Sequence, residues 1–219
     1  MNDSILSPRP VAVPSPKRAP RRRPPSTQKH EDKRTAILRT AAQLFAANGY
    51  EATSLDMIAD QLGIHKATLY HYVDNKESIL FQCLVMSFGD LDAVIERMKD
   101  RSTPVLERLR IFVRSLAAAQ NNDFGRCLVL VGSRPLDQAP GDSIRQFQRR
   151  LDMTVRDLIT EGIADGSIRP LDPSIFAALL FGALNWVPRW HKDAGKLSVQ
   201  QVVDSFMDLL TKGIEVSKR

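Results

Sequence analysis

The stretch TSLDMIADQLGIHKATLYHYVDNKESIL, residues 53–80, decides the fold. It divides into a helix, a glycine-centred turn, a short second helix, another turn and the start of a third helix. Leu55, Ile58, Ala59 and Leu62 recur at three and four, which marks the inner stripe of the first helix. Thr53 is placed to cap that helix, and Asp56, three residues on, to complete part of a capping box. Gly63 then breaks it. Two short helices that cross steeply need a residue without a Cβ between them, and the small Ala59 lets them approach. Ile64 and Leu69 are the apolar residues expected to bury the second helix. The side chains left over, His65, Lys66, Thr68, Tyr70 and His71, point outward, and all form hydrogen bonds. A short polar helix propped on a small core, over residues 54–72, has the form that enters a DNA major groove.

Outward from this stretch the helical pattern continues in both directions. Upstream, Ile37, Leu38, Ala41, Ala42, Leu44 and Phe45 share one face of a helix that runs from Glu31 to Asn48–Gly49, a pair suited to its C-terminal end. Downstream, Val73-Asp74-Asn75 reads as a turn, and a long fourth helix is expected from Lys76 toward Lys99. Further helices are expected near 104–121, 124–132, 142–165, 173–192 and 198–216. Leu128–Val131 resembles a strand but is short enough to be buried helix. The expected fold is all-α with about nine helices. An arm over 1–30 precedes a three-helix helix-turn-helix domain over 31–78, and a helical ligand and dimer domain covers 79–219.

The charge is placed unevenly. The 219 residues carry a formal net charge of +6, and the first 30 hold seven Lys or Arg against one acid, so the whole excess lies there. Seven of the thirteen prolines share that stretch. Such composition predicts a flexible basic arm, with Arg21, Arg22 and Arg23 as its candidate contacts to DNA phosphates or a minor groove. Residues 31–80, by contrast, hold five bases and seven acids. A DNA-binding domain without a basic surplus must place its lysines well or borrow charge from the arm.

With these residues in view, 53–80 resembles the DNA-binding signature of the TetR family of bacterial regulators, and the likeness extends back through Ala41, Ala42, Leu44, Phe45, Gly49 and Tyr50. The resemblance implies a dimer of all-helical subunits on double-stranded DNA. It implies that Thr53 caps its helix and donates to a phosphate. It places Lys66, Thr68 and His71 at base edges or adjacent backbone, and Tyr70 and Lys76 at phosphates. Two departures stand out: His65 occupies the position of a small capping residue, and Ala67 that of a frequent glycine.

The C-terminal stretch GIADGSIRPLDPSIFAALLFGALNWVPRW, residues 162–190, is similar to family members that respond to acyl-CoA, fatty-acid or steroid-derived thioesters, through Asp172-Pro173, Gly182, Asn185-Trp186 and Trp190. The small-molecule effector so implied is an acyl-CoA or fatty acid. Trp186 and Trp190 share one helix face, and Arg189 and Lys192 are near enough to meet phosphates, so these four are the candidate ligand residues. Phe176, Leu180, Ala183, Val203, Phe206 and Leu210 are the candidate dimer residues, on two helices suited to a four-helix bundle between subunits.

No glycine-rich phosphate loop, zinc spacing or Gly-x-Ser-x-Gly elbow is present, so neither an enzyme nor a cofactor or metal site is expected. No signal peptide or run of 18 to 20 apolar residues is seen, and Cys83 and Cys127 each stand alone in apolar stretches, which suits reduced thiols in a cytoplasmic, nucleoid-associated protein without a membrane. The resemblance implies a ligand-relieved repressor that binds a palindromic operator as a dimer; the alternative is an architectural or accessory DNA-binding protein without an effector, which would lack a cavity.

Overall fold

A computed structural model describes residues 25–89, 91–192 and 194–213. Those residues form ten helices: α1 (Pro25–Asn48), α2 (Leu55–Leu62), α3 (Lys66–Leu69), α4 (Lys76–Met86), α5 (Leu91–Arg97), α6 (Val105–Asn121), α7 (Asp123–Leu130), α8 (Gln138–Ala164), α9 (Pro173–Trp190) and α10 (Val199–Lys212). The all-helical expectation holds, and Leu128–Leu130 is helix.

Three boundaries differ from those read in the sequence. α1 begins at Pro25, inside the stretch assigned to the arm. A proline is tolerated in a first helical turn, where its missing N–H would have no partner. α8 likewise starts at Gln138, with Pro140 in its opening turn. The expected fourth helix is two helices. Ser87 turns its hydroxyl back to the Leu84 carbonyl, and Gly89 takes φ +44°, which ends α4 and redirects the chain into α5. The stretch 76–97 is apolar enough by length and composition to match a membrane span. It is broken at this joint, however, and its Ile79, Leu80, Cys83, Leu84, Leu91 and Ile95 are buried in the protein's own cores.

There are two cores. The first joins Ile37, Leu38, Ala41, Ala42 and Phe45 of α1 to Ile58 and Ala59 of α2, Leu69 of α3 and the buried face of α4. It also takes in Phe124 and Cys127 of α7, with Leu136 and Ile144 beyond. The first core therefore draws on α7 as well, which packs on both α1 and α4. The second core is built by α5, α6, α8, α9 and α10. Phe88, in the α4–α5 joint, packs against both cores and stacks on Phe147 of α8 with ring centroids 3.8 Å apart.

Arg108 ties the second core to its rim. Its buried guanidinium donates to the carbonyls of Met98 (2.6 Å) and Thr103 (2.9 Å) and pairs with Glu161 of α8. Every arm of the charge thus has a partner, as a buried cation requires. Both cysteines are buried and free. Burial raises both thiols, Cys127 to about 12, so they behave as small hydrophobes.

Candidate nucleic-acid interface

Ser54, not Thr53, caps α2: its hydroxyl accepts from the Met57 N–H at 3.1 Å. Gly63 ends the helix in the left-handed conformation, φ +63°, and the chain re-enters at once as Ile64 N–H bonds the Ala59 carbonyl at 3.0 Å. His65 opens α3 with no side-chain capping bond, in keeping with its replacing a small capping residue. α3 itself is only one turn, Lys66–Leu69, continued to Val73 by turn bonds from Tyr70, His71, Tyr72 and Val73. Leu69 and Val73 are buried and Ile64 half-buried, so the segment is pinned from beneath.

The outward set is largely as expected. His65, Lys66, Tyr70 and His71 are exposed, Tyr70 by 50%, and Thr68 is half-buried. Three expected contacts need correction or qualification. Thr53 is 1% exposed, and its hydroxyl donates to the Gly49 carbonyl at 2.8 Å with the Leu44 carbonyl 3.3 Å away, so it closes the end of α1 and does not cap α2. Lys76 is half-buried, donates to the Tyr50 carbonyl at 3.0 Å, and rests 4.2 Å from the Tyr50 ring centroid. Lys66 is exposed but paired with Asp56 of α2. Arg21, Arg22 and Arg23 lie outside the described residues.

Contacts that periodicity did not suggest join α1 to the reading segment. His30 stacks on Tyr72 with centroids 4.6 Å apart, and the Lys33 ammonium lies 5.8 Å from the same ring. The helix that leaves the basic stretch thus runs past the end of the reading segment.

A cavity of about 640 Å³ opens in the C-terminal half. Phe88, Leu91, Leu116, Phe147, Leu151 and Phe181 give it apolar walls, and Gln120, Gln148, Asp152, Asn185 and Arg189 supply polar groups. Of the four expected ligand residues, Trp186 and Arg189 line it, with the guanidinium 5.6 Å from the indole centroid. Trp190 and Lys192 do not. α9 runs on through Pro188 to end at Trp190, which turns edge-on to His191, and Lys192 lies exposed beyond the helix end. Gln120, absent from the sequence reading, donates through its side-chain amide to the Asn185 side-chain Oδ1 at 2.7 Å across α6 and α9.

The expected dimer residues also divide. Leu180 and Val203 are 1% exposed and belong to the subunit's own core. Phe176 and Phe206 are half-buried against that core, and Ala183 is half-buried too. Only Leu210 is exposed. The open apolar face of α9 is instead Ile175, Leu179 and Trp186, with Gly182 between them, and Leu209 joins Leu210 on α10. α9 is apolar nearly all round, so its spacing could not say which face turns inward.

Residues 37–83 match the family model for bacterial regulatory proteins of the tetR family, and residues 102–214 that for the tetracyclin repressor-like C-terminal domain. The chain is 29% identical over 199 residues to the HTH-type transcriptional repressor KstR2 of Mycolicibacterium smegmatis, covering 89% of this chain and 97% of that protein. It is 28% identical to the fatty acid metabolism regulator protein of Bacillus subtilis, over 81% of this chain and 93% of the relative. Among solved structures, AibR in complex with isovaleryl coenzyme A and operator DNA superposes with a TM-score of 0.72 at 27% identity, covering 82% of this chain and 98% of the other.

Proposed function

The chain belongs to the TetR family of bacterial regulatory proteins, and from that premise we propose that it is a repressor that grips a palindromic operator as a dimer and is released by an acyl thioester. One observation carries the ligand-relieved reading: Phe88 lines the cavity and packs against the core of the DNA-reading half. A ligand seated against Phe88 and Phe147 acts on the C-terminal end of α4, whose N-terminal end adjoins the reading segment. A ligand that prefers one subunit geometry shifts the population toward it, by no more than its differential affinity for the two states. Repression is then relieved because the two reading segments lose the spacing of about 34 Å set by one DNA turn.

The thioester reading has three supports. The cavity walls are apolar, as an acyl chain or ring system requires. Arg189 and Trp186 lie together in its lining, where a cation and an aromatic face can hold an anionic carrier group. Relatives include a fatty acid metabolism regulator and a protein solved with isovaleryl coenzyme A. The open stripe Ile175–Leu179–Trp186, with Leu209 and Leu210, is the surface offered to the second subunit. Arg21 to Arg23 add phosphate contacts from the arm, and the protein works on the chromosome in the cytoplasm, as a regulator and not an enzyme. An architectural protein without an effector has no use for a cavity of this size.

Selection of genomic fragments by the purified full-length protein tests the proposal. The expected product is a palindrome with half-sites one turn apart, released by a panel of acyl-CoAs that includes isovaleryl coenzyme A. Failure to enrich any sequence overturns the repressor reading. Enrichment that no acyl-CoA reverses overturns the thioester effector.

A further inference from the structure

Lys66 opens α3, and Asp56 lies in the first turn of α2. The Lys66 ammonium is 2.9 Å from one oxygen of the Asp56 carboxylate and 3.0 Å from the other, so both oxygens share it. Both side chains stand open to solvent, as do Tyr70 and His71. The carboxylate holds the lysine above its ordinary pKa, so the ammonium is fully charged and already partnered. Among the described residues, no other carboxylate is bonded to a side chain of the reading segment.

A carboxylate at this position acts twice on an approaching duplex. It occupies the cation that would otherwise take a phosphate, and it carries a negative charge of its own toward a polyanion. An exposed pair is held weakly, so a well-placed phosphate can draw the lysine away. It does so only by leaving Asp56 unpaired beside DNA, and contacts made elsewhere must offset that cost. The operator offers such contacts, and random DNA offers mainly phosphates. The acid excess of residues 31–80 points the same way.

We propose that Asp56 is a discriminator: by holding Lys66 it suppresses binding to random-sequence DNA and leaves affinity to contacts that only the operator supplies. The proposal rests on the reading of α2 and α3 as the DNA-contacting motif.

The test uses full-length protein, a random duplex of about 30 base pairs and the operator recovered above, with binding followed by fluorescence anisotropy across salt. Asp56→Asn removes the charge and keeps the shape. It is expected to bind the random duplex about tenfold tighter at low salt, with one extra phosphate contact, so that the gain shrinks about 3.5-fold between 50 and 200 mM salt. Operator affinity rises by about threefold or less, so discrimination falls. Lys66→Gln, which needs no stable Asp56 variant, leaves the Asp56 carboxylate unpaired on either duplex and removes a contact made only on the operator, so it is expected to weaken the operator complex several-fold more than random binding. Equal gains on both duplexes for Asp56→Asn, no gain on random DNA, or equal losses for Lys66→Gln would overturn the proposal. If the unaltered protein selects no sequence, the repressor reading fails first. If it selects one and discrimination survives Asp56→Asn, only the discriminator fails.

Discussion

At the scale of single residues, Thr53 departs from the role that position alone would give it, and Tyr70 stays in the outward set where position put it. Thr53 sits one residue too early to cap α2, and its hydroxyl donates to the Gly49 carbonyl at the end of α1. Thr53→Ala leaves that half-buried acceptor short of a donor, a cost of roughly 1–2 kcal/mol. Calorimetry should show Tm lower by roughly 2–8 °C, with the DNA affinity of the folded protein unchanged. Tyr70 is half exposed and touches no core. Tyr70→Phe should leave Tm nearly unchanged, as surface substitutions do, and weaken operator binding about 2- to 10-fold by removing one hydroxyl contact. A Tm loss in the second variant, or an affinity loss in the first, would reverse these assignments.

At the scale of elements, α1 and the α4–α5 joint matter most. α1 begins directly beyond Arg21–Arg23 and passes the reading segment through the His30–Tyr72 stack. Replacing the three arginines by alanine should reduce the slope of log affinity against log salt by about 2–3 while Tm holds, because only phosphate contacts are removed. An unchanged slope would leave the arm without a role on DNA. The joint is tested by Phe88→Leu, which removes the ring stacked on Phe147 and keeps an apolar side chain. Operator affinity without effector should persist, and the effector's power to release DNA should fall by about fivefold or more, the size of a typical coupling. Full release by the variant would exclude Phe88 as the link. α6 and α10 are joined at their surface by Arg114 and Asp204, 2.7 Å apart. The guanidinium holds the Asp204 carboxyl below its ordinary pKa. Its contribution to stability is therefore present at neutral pH and is lost as pH falls through the ordinary carboxylate value, about 3.9, and below. Asp204→Asn should flatten the acid limb of the Tm–pH curve, and an unaltered limb would leave the pair without influence.

At the scale of the whole molecule, adjacent leucines on α9 separate assembly from folding. Leu179 is 69% exposed and Leu180 is 1% exposed. Leu179→Arg should give a folded monomer by light scattering, with operator affinity falling steeply because a palindrome needs both subunits. Leu180→Ala should cost roughly 2–5 kcal/mol of stability and leave the oligomeric state of the folded fraction intact. A dimer that survives Leu179→Arg would move the interface away from this stripe. The two cores meet at α7 and Phe88, which places the ligand cavity and the DNA-reading half in one packed body.

Local chemistry was enough for the helical class, the turn at Gly63, the outward set of His65, Lys66, Tyr70 and His71, and most helix ends. Each follows from the spacing of apolar residues or from the backbone freedom of one glycine, and both act within a few residues. The break at Gly89 was missed because apolar spacing runs on through a joint buried between two cores. The turn of Thr53 toward the end of α1, the inward turn of Leu180 and Val203, and the absence of Trp190 from the cavity were settled by what lies across the gap from each residue. Gly125 is the same case: a Cβ there would strike the Ala119 carbonyl oxygen on α6, a neighbour brought close only by the α6–α7 corner. The opening stretch thus determined the motif proposed to meet DNA, because a helix-turn-helix carries its own turn and its own small core. Which cations are free to meet it was decided by tertiary contact, since Lys66 is held by Asp56 and Lys76 by Tyr50, and only the packed helices bring those partners within reach.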